Sequence, residues 1–316
     1  MPNWCFRTCS GPISGLNISR PPCRNTRAGS GASGRALAEA GSRWGDFGRR
    51  VQTAIILLAV TLVCVWAGGI PFLIATIAGG VVVSVEWVTL CGVEDPFWIG
   101  RGGTSLVIGA AAIAGGLGEA EAGLAFVAVA TLGYELLDAL AGGSLFRPGG
   151  TRFALGIPWL GLAAVAVPWL RNDPEAGLAN TLFMLCIVWG SDIGAYLLGR
   201  FIGGPKLAPA ISPGKTWSGA SGGLIGALLG GLLVATCFST VFSPASVIVL
   251  ALGLGVVSQA GDLLESGLKR HFGVKDSGRI IPGHGGLLDR LDSLLAVAPA
   301  AALLAYSLGR GVLLWR

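Results

Sequence analysis

Asp262 and Glu265 form one pair of carboxylates spaced three residues apart, Asp289 and Asp292 form a second, and a single short loop joins them. On a helix, residues three apart share a face. Each pair can therefore project from one side of its element, and carboxylates gathered this way repel one another unless a cation neutralises them. A hard divalent ion bound through oxygen, Mg²⁺ before others, meets that need. A plainer reading stands beside it, in which Asp289 and Asp292 favour a helix N-terminus and pair with Arg290 or Lys269. Between the pairs lie Lys269, Arg270, Lys275 and Arg279, followed by Gly283, His284, Gly285 and Gly286 just ahead of a helix start. Bases and exposed backbone N–H groups bind anions. Metal-binding acids beside phosphate-binding bases and glycines are the parts of a phosphoryl or nucleotidyl transfer site, where positioning and charge neutralisation carry most of the catalysis.

A second polar island lies upstream. The segment Trp189-Gly190-Ser191-Asp192-Ile193-Gly194-Ala195-Tyr196 puts a carboxylate near the end of an apolar helix, and the next loop reads Ile211-Ser212-Pro213-Gly214-Lys215-Thr216-Trp217. Lys215 with Ser212 and Thr216 could hold a phosphate. Alternatively the loop is a helix-capping turn with a lysine that snorkels toward water. A P-loop is a weak reading, because Ala210 occupies the place of its earlier glycine and no strand is expected ahead of it.

These residues must be positioned by helices in lipid. With 53% hydrophobic and 12% charged residues and 52 glycines among 316, and a mean hydropathy of +0.71, the chain suits an all-α polytopic membrane protein. Apolar stretches at 51–67, 70–87, 103–117, 122–141, 153–170, 177–198 and 288–308, with two more in 216–261 turning at Phe242-Ser243-Pro244, predict about eight or nine transmembrane helices. The first pair, split by Gly68-Gly69-Ile70-Pro71, could instead be a re-entrant hairpin. With the N-terminus in the cytoplasm, all of the 22 Lys and Arg residues except Arg171, Arg310 and Arg316 fall inside, as the positive-inside rule requires. That puts both polar islands on the cytoplasmic side. The charge of +5 is then mainly an orientation signal, and nothing resembles a nucleic-acid-binding domain. Residues 1–48, rich in Arg, Gly, Ser and Pro, read as a disordered tail, leaving 49–316 as the membrane domain. Cys5, Cys9 and Cys23 in the tail, and Cys64, Cys91, Cys186 and Cys237 in or beside the spans, read as unpaired. Gly222-Gly223, Gly226 and Gly230-Gly231 offer close helix packing, within a chain or between two copies in a homodimer.

The segment Ser266 to Asp292, reading SGLKRHFGVKDSGRIIPGHGGLLDRLD, resembles the pattern of the phosphatidate cytidylyltransferase (CDP-diacylglycerol synthase) family position for position. Ser258 to Asp262, Ser191 to Tyr196 and Ser212 to Thr216 also resemble it, so the likeness covers residues 50–310. Gly214 departs from the basic residue or Asn common there. The resemblance implies a bacterial inner-membrane enzyme that takes CTP and phosphatidic acid to CDP-diacylglycerol and pyrophosphate. It implies Asp262, Asp289 and Asp292 as the acids that organise Mg²⁺, with room for a second cation, and Asp192 and Glu265 as acids behind them. Lys215, Lys269, Arg270 and Lys275 would offset substrate charge, Lys269 within the catalytic group. Ser212, Thr216, His284, Gly285 and Gly286 would contact phosphate. Two other readings compete: a CTP-dependent polyprenol or phytol kinase, which needs a base beside a hydroxyl acceptor, and an ion-coupled transporter.

Overall fold

The computed structural model describes residues 52–92, 98–140, 142, 151–278, 280 and 285–316. The expected tail 1–48, three of its cysteines, Arg279, Gly283 and His284 lie outside the described residues. Within them the chain is helical apart from one small hairpin. The order is α1 (Gln52–Ala67), α2 (Gly69–Leu90), a π-helical turn (Trp98–Gly103), α3 (Thr104–Gly116), α4 (Ala120–Leu140), α5 (Thr151–Arg171), α6 (Gly177–Phe201), β1 (Lys206–Ala208), β2 (Ser212–Thr216), α7 (Trp217–Phe238), α8 (Pro244–His271) and α9 (Leu288–Leu308). Six helices, α2, α4, α6, α7, α8 and α9, are long and apolar enough to cross a membrane, and α1 and the apolar part of α5 are shorter. Leu106, Val129, Leu229, Val249 and Leu303 all face outward, an arrangement suited to lipid rather than water. The protein is an integral membrane protein.

Local chemistry sets the boundaries. Ser243 accepts from Ser246 N at 3.3 Å with Pro244 opening α8, the usual N-cap and first-turn proline. The break between α1 and α2 falls at Gly68, whose φ of 62° suits glycine, and a Cβ there would lie 2.5 Å from the Arg171 guanidinium. Arg171 Nε in turn donates to Val65 O at 2.6 Å and Nη2 to Trp66 O at 3.2 Å, so the carbonyls at the end of α1 are satisfied from α5.

Glycines allow α6 and α7 to touch backbone to backbone. A Cβ on Gly226 would sit on the Gly190 carbonyl, one on Gly194 on the Gly222 carbonyl, and one on Gly230 on the Cys186 carbonyl. The glycine stripe expected to serve either one chain or two is thus consumed within the chain. The core lies in two clusters, one around Phe183, Met184, Ala251, Val297 and Trp315, the other around Trp87, Ile108, Ile157, Leu160 and Leu288. Cys64, Cys91, Cys186 and Cys237 are free, as expected.

At one end of the bundle the chain terminus folds back onto the α5–α6 turn. Asp173 accepts from Glu175 N at 3.0 Å, Ala176 N at 2.8 Å and Gly311 N at 2.6 Å. Partial desolvation opposes its charge, but the donors of Ala176, Gly311 and Glu175 outweigh that and hold the carboxyl below its usual range. A lowered folded-state pKa means stability that is present above the ordinary carboxylate value and lost as pH falls through the folded one. Asp173→Asn should therefore lower the thermal midpoint by roughly 2–4 °C at neutral pH, and the two proteins should converge below about pH 4 in a pH series of melting curves.

Candidate active site

The polar residues gather at the other end. Helix α8 has 28 residues, roughly 42 Å at 1.5 Å per residue, against about 30 Å of hydrocarbon. Its last two turns, which carry Glu265, Lys269 and Arg270, therefore extend past the apolar layer, with Asp262 at its boundary. The uncharged run ends at Gly261, whereas the helix continues to His271 and brings acids and bases onto one rigid element.

Lys269 is the hub of the first cluster. Its Nζ lies 2.7 Å from Glu265 Oε2, one turn back, and 2.9 Å from Asp289 Oδ1 on α9. Glu265 is fully buried, and its Oε1 has no hydrogen-bond donor among the described residues. Asp289 also accepts from Ser277 N, at 3.0 and 3.1 Å, and from Gly286 N at 3.0 Å. The Gly286 N–H that sequence offers to phosphate is thus engaged by Asp289 in this structure. Gly285, at φ 85°, turns the chain there, and a Cβ on it would lie 3.0 Å from Asp289 Oδ2. Asp289 therefore pairs with Lys269 and ties down the start of α9, as the plainer sequence reading has it.

The second cluster is built around the hairpin. β1 and β2 pair antiparallel, with Lys206 opposite Thr216 and Ala208 opposite Ser212, and this strand pair is an addition to the expected all-α architecture. Pro213 and Gly214 are poor strand residues, so nothing local announces it. Lys215 at the end of β2 reaches Asp262 Oδ2 at 2.7 Å; it bonds to an acid rather than snorkelling. Thr216 Oγ1 accepts from Gly219 N at 3.1 Å as the N-cap of α7. Ser212 is half-buried at the start of β2. Arg270 fastens the hairpin to α8, donating to Ile211 O at 3.3 Å and Val274 O at 3.2 Å, while Lys275 is exposed.

Between α6, the hairpin, α7 and α8 lies a cavity of about 350 Å³, lined by Asp192, Tyr196, Arg200, Lys215, Thr216, Gln259 and Asp262. That volume falls within the range of small-molecule sites. Asp192, placed by sequence in a supporting role, thus faces the same space as Asp262 and Lys215. Asp292 on α9 is close enough to Asp262, Glu265 and Asp192 for their charges to interact. Its Oδ1 accepts a local bond from Ser293 N at 2.7 Å. Asp289, Lys269, Gly285 and Gly286 do not line the cavity.

The donor set fits a hard cation. Of the five carboxylates Asp192, Asp262, Glu265, Asp289 and Asp292, three have a close lysine, Asp262 with Lys215 and Glu265 and Asp289 with Lys269, Arg290 acts on Asp192 beside Lys215, and among the described residues the buried Glu265 Oε1 is left without a donor. Among the described residues no three such ligands already converge on one point.

Glu86 lies outside both polar islands in the sequence. It is 2% exposed on α2, and it accepts from Leu287 N at 3.0 Å, Leu288 N at 2.7 Å and Ser277 Oγ at 3.4 Å. The signal was available, since Glu86 is the one charged residue between Val51 and Val93, and an ionisable group in a span marks a functional site by default.

The sequence profile of the cytidylyltransferase family matches residues 48–308 of the chain. The protein belongs to the cytidylyltransferase family. Among its relatives, the phosphatidate cytidylyltransferase of Brucella suis biovar 1 is 42% identical over 252 residues, which is 79% of this chain and 89% of the relative. The phosphatidate cytidylyltransferase of Staphylococcus saprophyticus is 43% identical over 131 residues, 42% of this chain and 50% of its own. That of Staphylococcus epidermidis strain RP62A is 46% identical over 123 residues, 39% and 47% of the two chains. Membership in the cytidylyltransferase family agrees with a polar pocket set at one end of an apolar helical bundle.

Proposed function

We propose that the protein transfers a cytidylyl group from CTP to phosphatidic acid, giving CDP-diacylglycerol and pyrophosphate for phospholipid biosynthesis. The observation that carries the reading is the meeting of Lys215–Asp262 and Lys269–Glu265–Asp289, two acid–base clusters, at one end of an apolar bundle. One substrate is a water-soluble nucleotide and the other is a lipid, so the reaction belongs at a membrane edge.

A phosphate oxygen of phosphatidate attacks the α-phosphorus of CTP, the bond from that phosphorus to the bridging oxygen breaks, and pyrophosphate leaves. The attacking oxygen is already anionic, so no side chain need remove a proton. Lys215, with Ser212 and Thr216 beside it, and Lys269, Arg270 and Lys275 offset the charge that two phosphorylated substrates bring together. His284, Gly285 and Gly286, ahead of α9, would contact phosphate, the Gly286 N–H by exchanging the bond it makes to Asp289. Asp262, Asp289 and Asp292 would hold Mg²⁺, with Asp192 and Glu265 behind them and a second cation accommodated. The bound ion would supply charge neutralisation at the CTP phosphates.

In this reading residues 49–316 form the catalytic domain behind a tail of 1–48. The chain crosses a bacterial inner membrane about eight or nine times, with its N-terminus and its site in the cytoplasm. A homodimer would need a face other than the Gly222–Gly230 stripe, which α6 covers. Purified protein in detergent with CTP, phosphatidic acid and Mg²⁺ should form a CDP-lipid, and EDTA should reduce product to background until Mg²⁺ is restored. A folded preparation that makes no CDP-lipid would overturn the assignment.

A further inference from the structure

Glu86 has no part in the scheme above, yet it is the buried carboxylate most tightly engaged with the chain around the acids. Its two oxygens accept from the backbone N–H groups of Leu287 and Leu288 and from the Ser277 hydroxyl. These lie on both sides of the loop that leads into α9. The surrounding glycines fit that arrangement. A Cβ on Gly278 would lie 2.6 Å from Glu86 Oε1, and one on Gly286 would collide with Ser277 Oγ and lie 2.8 Å from Glu86 Oε2. The next residue, Trp87, packs edge-on against Phe272 just past α8, with ring centroids 6.3 Å apart. Two adjacent residues of α2 thus grip both the exit from α8 and the entry to α9.

Asp289 completes the clamp from the other side. It receives Ser277 N and Gly286 N, so Ser277 is bonded to both carboxylates, by hydroxyl to one and by amide to the other. The position of the first turn of α9, and with it the directions of Asp289 and Asp292, is therefore set by a residue two hundred positions away in sequence. Resting on the proposed transfer reaction, we infer that Glu86 is a positioning residue: it holds the start of α9 so that Asp289 and Asp292 keep the placement in which they would hold Mg²⁺. It does so without touching substrate. Displacement of reacting groups by about 1 Å is enough to cost roughly a hundredfold in rate.

Glu86→Gln is the informative change. Gln is similar in size but offers one acceptor and two donors where two N–H groups and a hydroxyl need acceptors, so one N–H at the start of α9 is left facing a donor. Two readouts separate positioning from bulk stability. Hydrogen exchange by mass spectrometry should show residues 277–290 exchanging at least tenfold faster, with α6 and α7 unchanged. The variant should lose at least tenfold in kcat and require more Mg²⁺ for half-maximal rate. Glu86→Asp, which keeps the charge but retracts it, should shift both readouts the same way by less, and it serves if the Gln variant does not fold. Glu121→Gln, at the remote Tyr306 contact, should leave both at wild-type values. Unchanged exchange in 277–290 overturns the inference, and so does a lowered thermal midpoint with wild-type kcat and Mg²⁺ requirement. If the wild type itself forms no CDP-lipid, the transfer reading fails and the catalytic role inferred for Glu86 fails with it, while exchange still reports whether Glu86 holds α9.

Discussion

Asp289→Asn is expected to abolish turnover, by roughly a thousandfold or more, which is the scale on which a site loses a group that manages transition-state charge. Three donors converge on this carboxylate: Lys269 Nζ, Ser277 N and Gly286 N. Asn fills the same volume but keeps a single acceptor and turns an amino group toward donors. The change also removes the charge that balances Lys269, leaving that ammonium with Glu265 alone. In the proposed reaction the loss falls on Mg²⁺ and phosphate binding at once. The check is turnover of labelled CTP in a purified variant whose elution and thermal midpoint show it folded. Near-wild-type turnover would remove Asp289 from the essential machinery.

Gly226→Leu should have the largest effect on stability. At this position the obstacle is backbone, because a Cβ on Gly226 would overlap the carbonyl of Gly190 and press on Gly194 Cα at 3.3 Å. Side chains can change rotamer, but a helix carbonyl cannot leave without its helix. Overpacking a core commonly costs about 1–3 kcal/mol, and separating two helices should reach the top of that range. Because α6 carries Asp192 and α7 follows Lys215 and Thr216 at the end of β2, parting them also opens the polar cavity. The expected result is a lower thermal midpoint together with reduced activity at temperatures where the variant is still folded. Gly253→Leu, where a Cβ meets nothing within 4 Å, should be tolerated and serves as the control.

Much of this was legible in the sequence because lipid imposes a strict code. Apolar runs of membrane-spanning length and the breaks at Gly68 and Ser243-Pro244 correspond to observed helices and turns, since the solvent leaves few alternatives. The island containing Lys269 and Asp289 was also legible, because charge at a membrane edge is conspicuous. What escaped depends on contacts between distant segments. Glu86 was hidden in a greasy run, and its importance comes from amides two hundred residues away. The hairpin of β1 and β2 has no periodicity to reveal it, because it is held by the start of α7 and by Arg270. Asp289 has the residue type of a metal ligand and the position of a first-turn helix acid, and spacing alone does not separate those roles.

The two chemistries part when the label is followed from CTP radiolabelled at either the α- or the γ-phosphorus, with phosphatidic acid, Mg²⁺ and purified protein. Cytidylyl transfer predicts that the α-label enters the lipid fraction and the γ-label leaves as pyrophosphate. Entry of the γ-label into lipid would contradict it and point to a CTP-dependent lipid kinase, and retention of both labels in CTP by folded protein would contradict either chemistry.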